Sequence, residues 1–351
     1  MVVVKANAYG HGLETVSRSV IDQASWFGVD ALAEALVVEQ VAPGKPILIM
    51  GHSKASDART IVEHNFRQVI YRPDLAQALS EAARALGKSA RVHLKVETGT
   101  NRQGVAPNEI VSFGEAVVAL PKMELEGVYT HFANIEDTLD PSFAKMQLQR
   151  FNEALEGLAG AGIRPTQVHA AATAGILLYP ETHFTMVRLG IGAYGIWPSR
   201  ETRIAARERG RGLDLVPVLT WKANIAQLKT IAAGEYVGYG LAFQASRKTT
   251  LAVIPVGYYE GYDRRPSSAG RALVRGKAVP VVGRVAMNMM MLDVTDTAPS
   301  LDDEVVLLGV QGDAEITVEE LAEKIGTIPY EILTRINPGL ERRIHGNQEN
   351  R

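Results

Sequence analysis

The chain has 351 residues, a length that suggests about two domains at roughly 150 residues each. Its 37 basic and 39 acidic side chains give a net charge of −2, which argues against nucleic acid as the main partner. With 46% hydrophobic and 22% charged residues and no cysteine, the composition excludes general disorder, collagen-like or coiled-coil chains, disulfides and cysteine nucleophiles. No secretory signal pattern and no apolar run of about 20 residues occur, so we expect a cytoplasmic protein without a membrane span.

Short apolar runs alternate with helical patterns through the first half of the chain, which is typical of βαβ units and a parallel sheet. Apolar residues follow helical spacing after Leu13, and Pro73 suits the first turn of a helix over residues 73–86. Eight strands with right-handed crossovers predict a (β/α)8 TIM-type barrel, whose active site lies at the C-terminal strand ends. The predicted strands are Val2–Lys5, Trp26–Asp30, Pro46–Met50, Gln68–Tyr71, Arg91–Glu97, Leu125–His131, Thr166–His169 and Phe184–Leu189.

In the second half, a charged connector leads to short strand-like runs separated by glycine and proline. Long helical crossovers are missing, so we predict antiparallel strands in a smaller, mainly-β C-terminal domain. The barrel is assigned to residues 1–205 and the β domain to residues 206–351. A final helix over Thr317–Ile325 would begin with a capping box of Thr317 and Glu320. The predicted strands are Val218–Leu228, Thr249–Pro255, Arg271–Val274, Val279–Val282, Met289–Val294 and Glu304–Leu308.

Lys5 ends the first predicted strand and leads into the turn Ala6-Asn7-Ala8-Tyr9-Gly10-His11-Gly12. A lysine held against apolar walls at a barrel mouth has a depressed pKa and can form a Schiff base with a carbonyl. The alternative is a strand-end lysine that extends its amine into solvent. The position of Lys5 alone leaves both interpretations open.

The segment Gly190-Ile-Gly192-Ala-Tyr-Gly195 has the form of a GxGxxG dinucleotide fingerprint. Trp197-Pro198 follows where that fingerprint needs a long helix, so the dinucleotide interpretation fails. The loop after the eighth strand of a barrel commonly binds phosphate through backbone N–H groups. We therefore expect a phosphate-bearing cofactor here, with a tight glycine turn without a ligand as the alternative.

Polar residues also fall near other predicted strand ends. His169 ends the seventh strand, Thr173 follows it, and Arg188 lies within the eighth, so these side chains are candidates for a hydrogen-bonded chain in one pocket. Lys95 and Arg102 bracket the fifth strand and its loop. The alternatives are a structural histidine, an arginine paired with an acid, and a surface ion-pair ladder of small energetic value.

In the second half, Tyr258, Tyr259 and Tyr262 follow an apolar strand. A tyrosine acts as a general base only if nearby cations lower its pKa from about 10. Structural packing is the alternative for this cluster. HExxH, GxSxG and P-loop patterns are absent from the sequence, which argues against the enzyme classes that they mark.

Taken in order, these segments resemble the alanine racemase family of fold-type III pyridoxal-phosphate (PLP) enzymes. The segment from Val3 to Gly12 resembles the family's cofactor-lysine signature most closely, and further matches extend along nearly the whole chain. The resemblance implies a homodimer that interconverts L-alanine and D-alanine and supplies D-alanine for peptidoglycan. The matching segments are His93-Leu-Lys95-Val-Glu-Thr-Gly, Thr130-His131-Phe-Ala, Val187-Arg188-Leu-Gly190-Ile191, Val256-Gly-Tyr258, Gly283-Arg-Val-Ala-Met287 and Tyr330-Glu331.

The resemblance also implies roles for the residues that carry it. Lys5 would hold PLP covalently and act as one catalytic base. Tyr258 of the partner subunit would be the second base, on the opposite face of the substrate. The residues around the phosphate would be Tyr9, Thr173, Gly190, Ile191 and Tyr330.

Other implied roles concern the cofactor ring and the substrate carboxylate. Arg188 would bond the pyridine nitrogen and keep it unprotonated, which weakens PLP as an electron sink. His169 would link Arg188 to Tyr258 and help to lower the pKa of that tyrosine. Arg102 would meet the substrate carboxylate, oriented by Lys95, which is often carbamylated in relatives.

The chain departs from the family pattern at a few positions. Thr100-Asn101 replaces the usual Met-Gly before Arg102, Ala172 replaces an asparagine, and Asn288 replaces an aspartate after Met287 at the substrate site. These changes motivate a second hypothesis, a racemase with broader or different specificity, for serine or lysine. A third, a non-catalytic PLP-binding protein of cofactor homeostasis, is a single barrel and does not account for the β domain. Because Lys5 lies so near the N-terminus, we expect the barrel to lack the family's usual N-terminal extension.

Overall fold

The computed structural model describes residues 1–345 and contains two compact units. The first comprises Met1–Ala8 and Leu13–Leu215, and the second comprises Tyr9–Gly12 and the chain from Val216 onward. Within residues 1–345, none of the helices combines the length and the apolar character that a membrane crossing requires. In the same range, no three histidine or acidic side chains are grouped so that they could hold a metal ion.

The first unit is built on a curled sheet of seven parallel strands, which hydrogen bond in chain order. The second and third strands are fully buried and the fourth and fifth nearly so, as expected for strands covered by helices on the outside, whereas the first half of the sixth is partly exposed. The predicted barrel class is confirmed by this arrangement. The strands are β1 (Val2–Val3), β2 (Phe27–Val29), β3 (Ile47–Ile49), β4 (Arg67–Ile70), β5 (Ala90–Lys95), β6 (Met123–Tyr129) and β7 (Gln167–His169).

The predicted eighth strand, Phe184–Leu189, is not a regular strand. Phe184 has a φ of 49°, and the N–H groups of Thr185 and Met186 both point to the carbonyl of Val168, so no regular ladder forms there. Only the end of the segment reaches the first strand, through a parallel bridge between Leu189 and Val2. The prediction of a strand here is therefore wrong, although the segment still joins the two edges of the sheet.

Helices connect the strands of the first unit. The helix predicted over residues 73–86 is observed as Pro73–Leu86, with proline in its first turn and Gly87 ending it at a φ of 65°. The helix after Leu13 ends early, at Ser19. The helices are Leu13–Ser19, Leu32–Val41, Ala58–Glu63, Pro73–Leu86, Ile110–Ala119, Ser142–Gly160, Thr173–Leu178 and Arg200–Glu208, with 3-10 turns at Ala55–Asp57, Pro180–Thr182 and Ile191–Tyr194.

The second unit is mainly β, and its strand pairs are antiparallel within the described residues, as predicted. The predicted strand Val218–Leu228 is divided in two because Ile225 bonds the 302–303 loop through both its N–H and its carbonyl. The strands are Trp221–Asn224, Gln227–Ile231, Tyr236–Val237, Phe243–Gln244, Thr249–Ile254, Arg271–Val274, Lys277–Val282, Met290–Asp293, Glu304–Gln311 and Ala314–Ile316, with a 3-10 turn at Tyr239–Leu241.

Two helices end the described part of the second unit, Val318–Ile325 and Pro329–Thr334. The Thr317 hydroxyl caps the first of them by accepting a hydrogen bond from the Glu320 N–H at 3.1 Å. The Glu320 carboxylate bonds Arg271 Nε at 2.6 Å, so it is drawn away from the helix end that a full capping box would require. The second helix was not predicted.

Candidate active site

Lys5 opens a left-handed turn directly after β1. Ala6, Asn7 and Ala8 have φ values of 54°, 55° and 52°. Tyr9 continues the run with a φ of 53°. This conformation costs L-amino acids roughly 1–2 kcal/mol per residue, so a run of four stores appreciable strain. Strain of this kind concentrates at functional sites, where the surrounding structure holds it in place.

Glu34, on the helix Leu32–Val41, supports the strained turn. Its carboxylate accepts hydrogen bonds from the N–H of Ala6 at 2.7 Å and of Asp30 at 2.8 Å, so it ties the turn after β1 to the turn after β2. Lys5 Nζ lies 3.2 Å from Asp30 Oδ1, and the lysine side chain is 40% exposed. An ion pair this exposed adds little stability, so the amine is oriented but stays accessible. The role of Glu34 was not found from the sequence.

Arg188 and His169 meet in the buried interior of the first unit. Arg188 Nη1 lies 2.8 Å from His169 Nδ1, and Nη2 donates to the carbonyls of Thr130 at 3.0 Å and Ala170 at 2.8 Å. Burial, reinforced by the charge of Arg188, holds the pKa of His169 well below its usual value. His169 is therefore a neutral acceptor for the arginine.

The predicted link from His169 to Tyr258 of the partner subunit stays a prediction, and within the chain His169 has a further partner in His93. His169 Nε2 lies 2.9 Å from His93 Nδ1, so both ring nitrogens of His169 are engaged inside the first unit. A second histidine approaches the arginine: His131 Nδ1 lies 3.3 Å from Arg188 Nη2. Burial and then the charge of Arg188 lower the pKa of His131 to about 3. The sequence motif contained His131, but nothing in its spacing singled it out.

The buried contacts continue beyond His93 to an ion pair. His93 Nε2 lies 3.5 Å from Glu126 Oε2, and Glu126 accepts two hydrogen bonds from Arg67, at 2.9 and 3.2 Å. Burial favours the neutral acid, but the contacts with His93 and Arg67 outweigh it and lower the pKa of Glu126 to about 2. Arg67, Glu126 and His93 lie on three adjacent strands, so only the register of the sheet reveals their contact.

Gly127 leaves room for this chain of contacts. A Cβ atom at Gly127 would lie 2.4 Å from His93 Nδ1, well inside van der Waals contact. We expect Gly127→Ala to lower the free energy of unfolding by about 1–3 kcal/mol, because the added methyl overpacks the site against a fully buried ring. Urea denaturation would measure the change.

Gly160→Ala is the matched control for Gly127→Ala. Gly160 ends the helix Ser142–Gly160, and a Cβ there meets no atom within 4 Å. Its replacement by alanine is expected to be neutral or to stabilise the fold by up to about 1 kcal/mol, because alanine lowers the conformational entropy of the unfolded chain. Equal stability of Gly127→Ala and the parent chain would show that His93 moves aside without cost.

Lys95 lies at the end of β5 and is almost fully buried. Its Nζ donates to Gln103 Oε1 at 3.3 Å and lies 5.6 Å from the centre of the Tyr129 ring. Burial, followed by the charges of Arg102 and Arg188, lowers the pKa of Lys95 to about 8. The neutral amine is therefore well populated in mildly alkaline solution.

The loop after β5 is organised by Glu97. Its carboxylate accepts hydrogen bonds from the N–H groups of Gly99 at 2.6 Å and Arg102 at 3.2 Å. The residue Arg102 is exposed. The acid thus holds the loop by its backbone, which leaves the Arg102 side chain open to solvent.

The glycine turn before Trp197 packs against Thr173. The N–H of Gly192 donates to Thr173 Oγ1 at 3.3 Å, and a Cβ at Gly192 would lie 2.6 Å from Thr173 Cγ2. Gly190 precedes the 3-10 turn Ile191–Tyr194, whose first N–H groups have no partner within the turn. Backbone N–H groups beside a hydroxyl are the donors that phosphate oxygens require.

In the second unit, Tyr258 lies on a turn that is held by its neighbours. The Tyr258 N–H donates to the carbonyl of Ala286 at 3.1 Å, and Glu260 accepts from Gly257 N at 2.8 Å and from Asn288 Nδ2 at 2.8 Å. Asn288 is thereby tied to the loop that carries Tyr258. Tyr258 is 43% exposed, so its hydroxyl is not a packing element.

The other two tyrosines of the cluster around Tyr258 differ in burial. Tyr262 is buried, which fits the packing interpretation of the tyrosine cluster, whereas Tyr259 is exposed. Tyr9 and Tyr330 lie together, with ring centroids 6.0 Å apart at an interplanar angle of 48°. Met287 is also exposed, beside the turn that carries Tyr258.

Comparison with known proteins gives consistent matches along the chain. The model of the alanine racemase N-terminal domain matches residues 1–198, and that of the alanine racemase C-terminal domain matches residues 218–344. An alanine racemase of Symbiobacterium thermophilum is 40% identical over 346 residues, which cover 98% of this chain and 89% of the relative.

Solved structures give the same result. The alanine racemase of Streptomyces coelicolor A3(2) aligns with a TM-score of 0.88 at 34% identity, covering 96% of this chain and 88% of that one. A histidine racemase from Leuconostoc mesenteroides aligns with a TM-score of 0.88 at 30% identity, covering 99% of this chain and 91% of that one. The fold is therefore shared by racemases that are named for different amino acids.

Proposed function

The chain belongs to the alanine racemase family, and on that basis we propose that it interconverts L-alanine and D-alanine with PLP as its cofactor. The structural observation that carries the proposal is a buried arginine, Arg188, that is held through both Nη atoms in the same barrel whose first strand leads to Lys5. We further propose that the product supplies D-alanine for peptidoglycan.

The residues of the first unit fit the proposed cofactor. Lys5 offers an accessible amine on a strained turn, Arg188 offers a fixed cation, and Thr173 with the turn at Gly190 and Ile191 offers neutral donors for a phosphate. PLP, when bound, supplies a carbonyl that condenses with amines and a conjugated ring that delocalises the electrons left by a departing Cα proton. In the second unit, Tyr9 and Tyr330 are proposed to contact the phosphate.

The charge of Arg188 determines how strongly the site withdraws electrons. Arg188 has no acceptor atom and stays protonated at physiological pH, so it can donate to a pyridine nitrogen but cannot protonate it. A nitrogen that only accepts a hydrogen bond withdraws fewer electrons than a protonated one. We infer that Arg188 favours rapid return of a proton to Cα over side reactions such as transamination.

The proposed racemisation needs two bases on opposite faces of Cα. Lys5 Nζ would remove or return the proton on one face, and Tyr258 of the partner subunit would do so on the other. Arg102 would bind the substrate carboxylate, because its guanidinium is free of the Glu97 contact and suits a carboxylate geometrically. Met287 and Asn288 would line the substrate site beside the Tyr258 loop.

A chiral assay of the purified protein tests the proposed function. Each L-amino acid is incubated separately with the PLP-loaded enzyme, and the two enantiomers are quantified by chiral chromatography. We expect L-alanine to reach an equal mixture with D-alanine fastest, and every preparation to show the absorbance of bound PLP. A protein that binds PLP but racemises no amino acid would overturn the proposal in favour of a binding role.

A second candidate, a racemase of different specificity, has a specific observation in its favour. The histidine racemase aligns over 99% of this chain, and the loops at residues 100–102 and 287–288 depart from the family pattern. Faster racemisation of serine, lysine or histidine than of alanine in the same assay would favour this candidate. The chemistry assigned to Lys5 and Tyr258 would then be unchanged.

Lys95 is proposed to carry a carbamate, as the resemblance implies. Carbamate formation requires the neutral amine, and the pKa of about 8 makes that form abundant from pH 8 upward and scarce below pH 7. With 13C-bicarbonate at pH 8.5, we expect a carbamate carbon signal in the NMR spectrum that weakens as the pH is lowered.

Two lysine-to-alanine variants show whether this signal comes from Lys95. Lys95→Ala is expected to abolish it, whereas Lys222→Ala, which removes an exposed lysine paired with Glu304, is expected to retain it. A signal that persists in Lys95→Ala would place the modification elsewhere, and no signal at pH 8.5 would show an unmodified Lys95.

A further inference from the structure

A line of buried side chains, which we call the relay, runs across the barrel from Arg188 through His169, His93 and Glu126 to Arg67. We propose that Glu126 is a positioning residue for Arg188. It holds His93 and His169 in one tautomer, with the proton on Nε2, and so fixes the guanidinium. This inference rests on the proposed function, in which Arg188 meets the cofactor ring. None of the relay members beyond His169 is given a role by that function.

The direction of the hydrogen bonds follows from the arginine end. Arg188 carries only donors, so at 2.8 Å its Nη1–H must donate to His169 Nδ1. That nitrogen is therefore unprotonated and accepts through its lone pair. A neutral His169 then carries its proton on Nε2. That nitrogen lies 2.9 Å from His93 Nδ1, which must accept in turn, and the proton of a neutral His93 lies on Nε2.

The carboxylate end matches this direction. His93 Nε2 is buried and has no hydrogen-bond partner among residues 1–345, and the nearest carboxylate oxygen, Glu126 Oε2, lies 3.5 Å away. A carboxylate accepts but does not donate, so it favours a proton on the nitrogen that faces it. Arg67 binds both oxygens of Glu126, at 2.9 and 3.2 Å, and so keeps the carboxylate aimed at the histidine.

The two ends therefore impose the same arrangement on the histidines between them. A protonated His93 or His169 would place two N–H groups face to face and add a cation beside Arg188, and burial lowers the pKa of both rings. If Glu126 lost its charge, the proton of His93 would no longer be held on Nε2. The acceptor at Arg188 Nη1 would then no longer be fixed, while the contacts of Nη2 with Thr130, Ala170 and His131 would remain.

Nitrogen NMR of the wild-type protein tests the predicted protonation directly, in both the PLP-free and the PLP-loaded forms. With 15N-labelled histidine, we expect a proton-bearing Nε2 and a lone-pair Nδ1 for both His93 and His169. The signals are assigned by their loss in His93→Gln and His169→Gln. A proton on Nδ1 of either ring, or a doubly protonated ring near neutral pH, would overturn the proposal.

Glu126→Gln tests the role of the carboxylate, and Glu124→Gln is its matched control. Glu124 lies two residues earlier on β6 and pairs with Arg91 at 3.0 Å, but it is half-exposed and outside the relay. In Glu126→Gln we expect a mixed protonation state at His93, a shifted visible absorption maximum of bound PLP, and kcat lower by about 2- to 30-fold with a smaller change in KM. Glu124→Gln should match the wild type in all three.

These readouts separate the two proposals. Wild-type spectra with the predicted protons but no racemisation in the chiral assay would contradict the proposed function and leave the relay intact. Racemisation with an unchanged His93 signal and an unchanged kcat in Glu126→Gln would contradict the positioning role. A Glu126→Gln chain that does not fold leaves the decision to the wild-type spectra.

Discussion

Lys5→Ala is expected to abolish racemisation and to leave the purified protein without the absorbance of bound PLP. Alanine removes both the amine that would hold the cofactor covalently and one of the two proposed bases. A general base alone contributes about 10²–10⁴-fold to a rate, so a loss of at least that size is expected in kcat. The measurements are the visible spectrum after PLP reconstitution and the chiral assay with L-alanine.

Lys54→Ala is the control for this variant, because Lys54 is an exposed lysine after another strand of the same sheet. It should keep the spectrum and the activity of the parent chain. The thermal midpoint of Lys5→Ala should stay close to that of the parent chain. The ion pair with Asp30 that the substitution removes is solvated, and an exposed ion pair contributes little to stability. A coloured and active Lys5→Ala protein would refute the assignment of Lys5 and every role that depends on it.

Strand positions in the first unit followed from periodicity because buried parallel strands are continuous apolar runs between amphipathic helices. The helix Pro73–Leu86 was predicted to the residue, since proline and glycine mark its two ends. For the predicted eighth strand, Phe184–Leu189, the apolar pattern alone was not sufficient. Its apolar pattern is that of a strand, but the hydrogen bonds of Thr185 and Met186 to Val168 depend on the neighbouring chain.

The residues of the candidate site also divide into those that a local sequence pattern marks and those whose role depends on contacts between distant parts of the chain. Lys5 and the Gly190–Gly195 turn were found because glycine-rich turns after strands leave a local pattern in the sequence. Glu126 and His131 were missed because their contacts depend on strand register and on where a distant arginine lies. The contact of His169 Nε2 with His93 was missed for the same reason, since the two residues lie on different strands.

Tyr258→Phe is expected to slow the conversion of L-alanine by about 10²–10⁴-fold while PLP binding changes little. The substitution removes only the hydroxyl oxygen, and the turn is held by the backbone bond to Ala286 and by Glu260, which phenylalanine does not disturb. Lys5 remains in this variant. Exchange of the Cα proton of D-alanine in deuterated water should therefore persist, which proton NMR would detect.

Tyr259→Phe is the matched control for Tyr258→Phe. Tyr259 is the next residue, is more exposed, and loses the same atom, so its activity should equal that of the parent chain. Normal racemisation by Tyr258→Phe would contradict the two-base assignment. Equal slowing of exchange from both enantiomers would contradict the assignment of Tyr258 to one face.

Mixing the two inactive variants tests whether Tyr258 acts on the partner's site. In a hybrid dimer of Lys5→Ala and Tyr258→Phe chains, one site would hold both native residues and the other neither, if the residues come from different subunits. Random exchange makes half of the dimers hybrid with one good site each, so about a quarter of wild-type activity is expected to return. If both residues serve the site of their own chain, each site of a hybrid keeps one defect. Activity would then stay at the level of the separate variants.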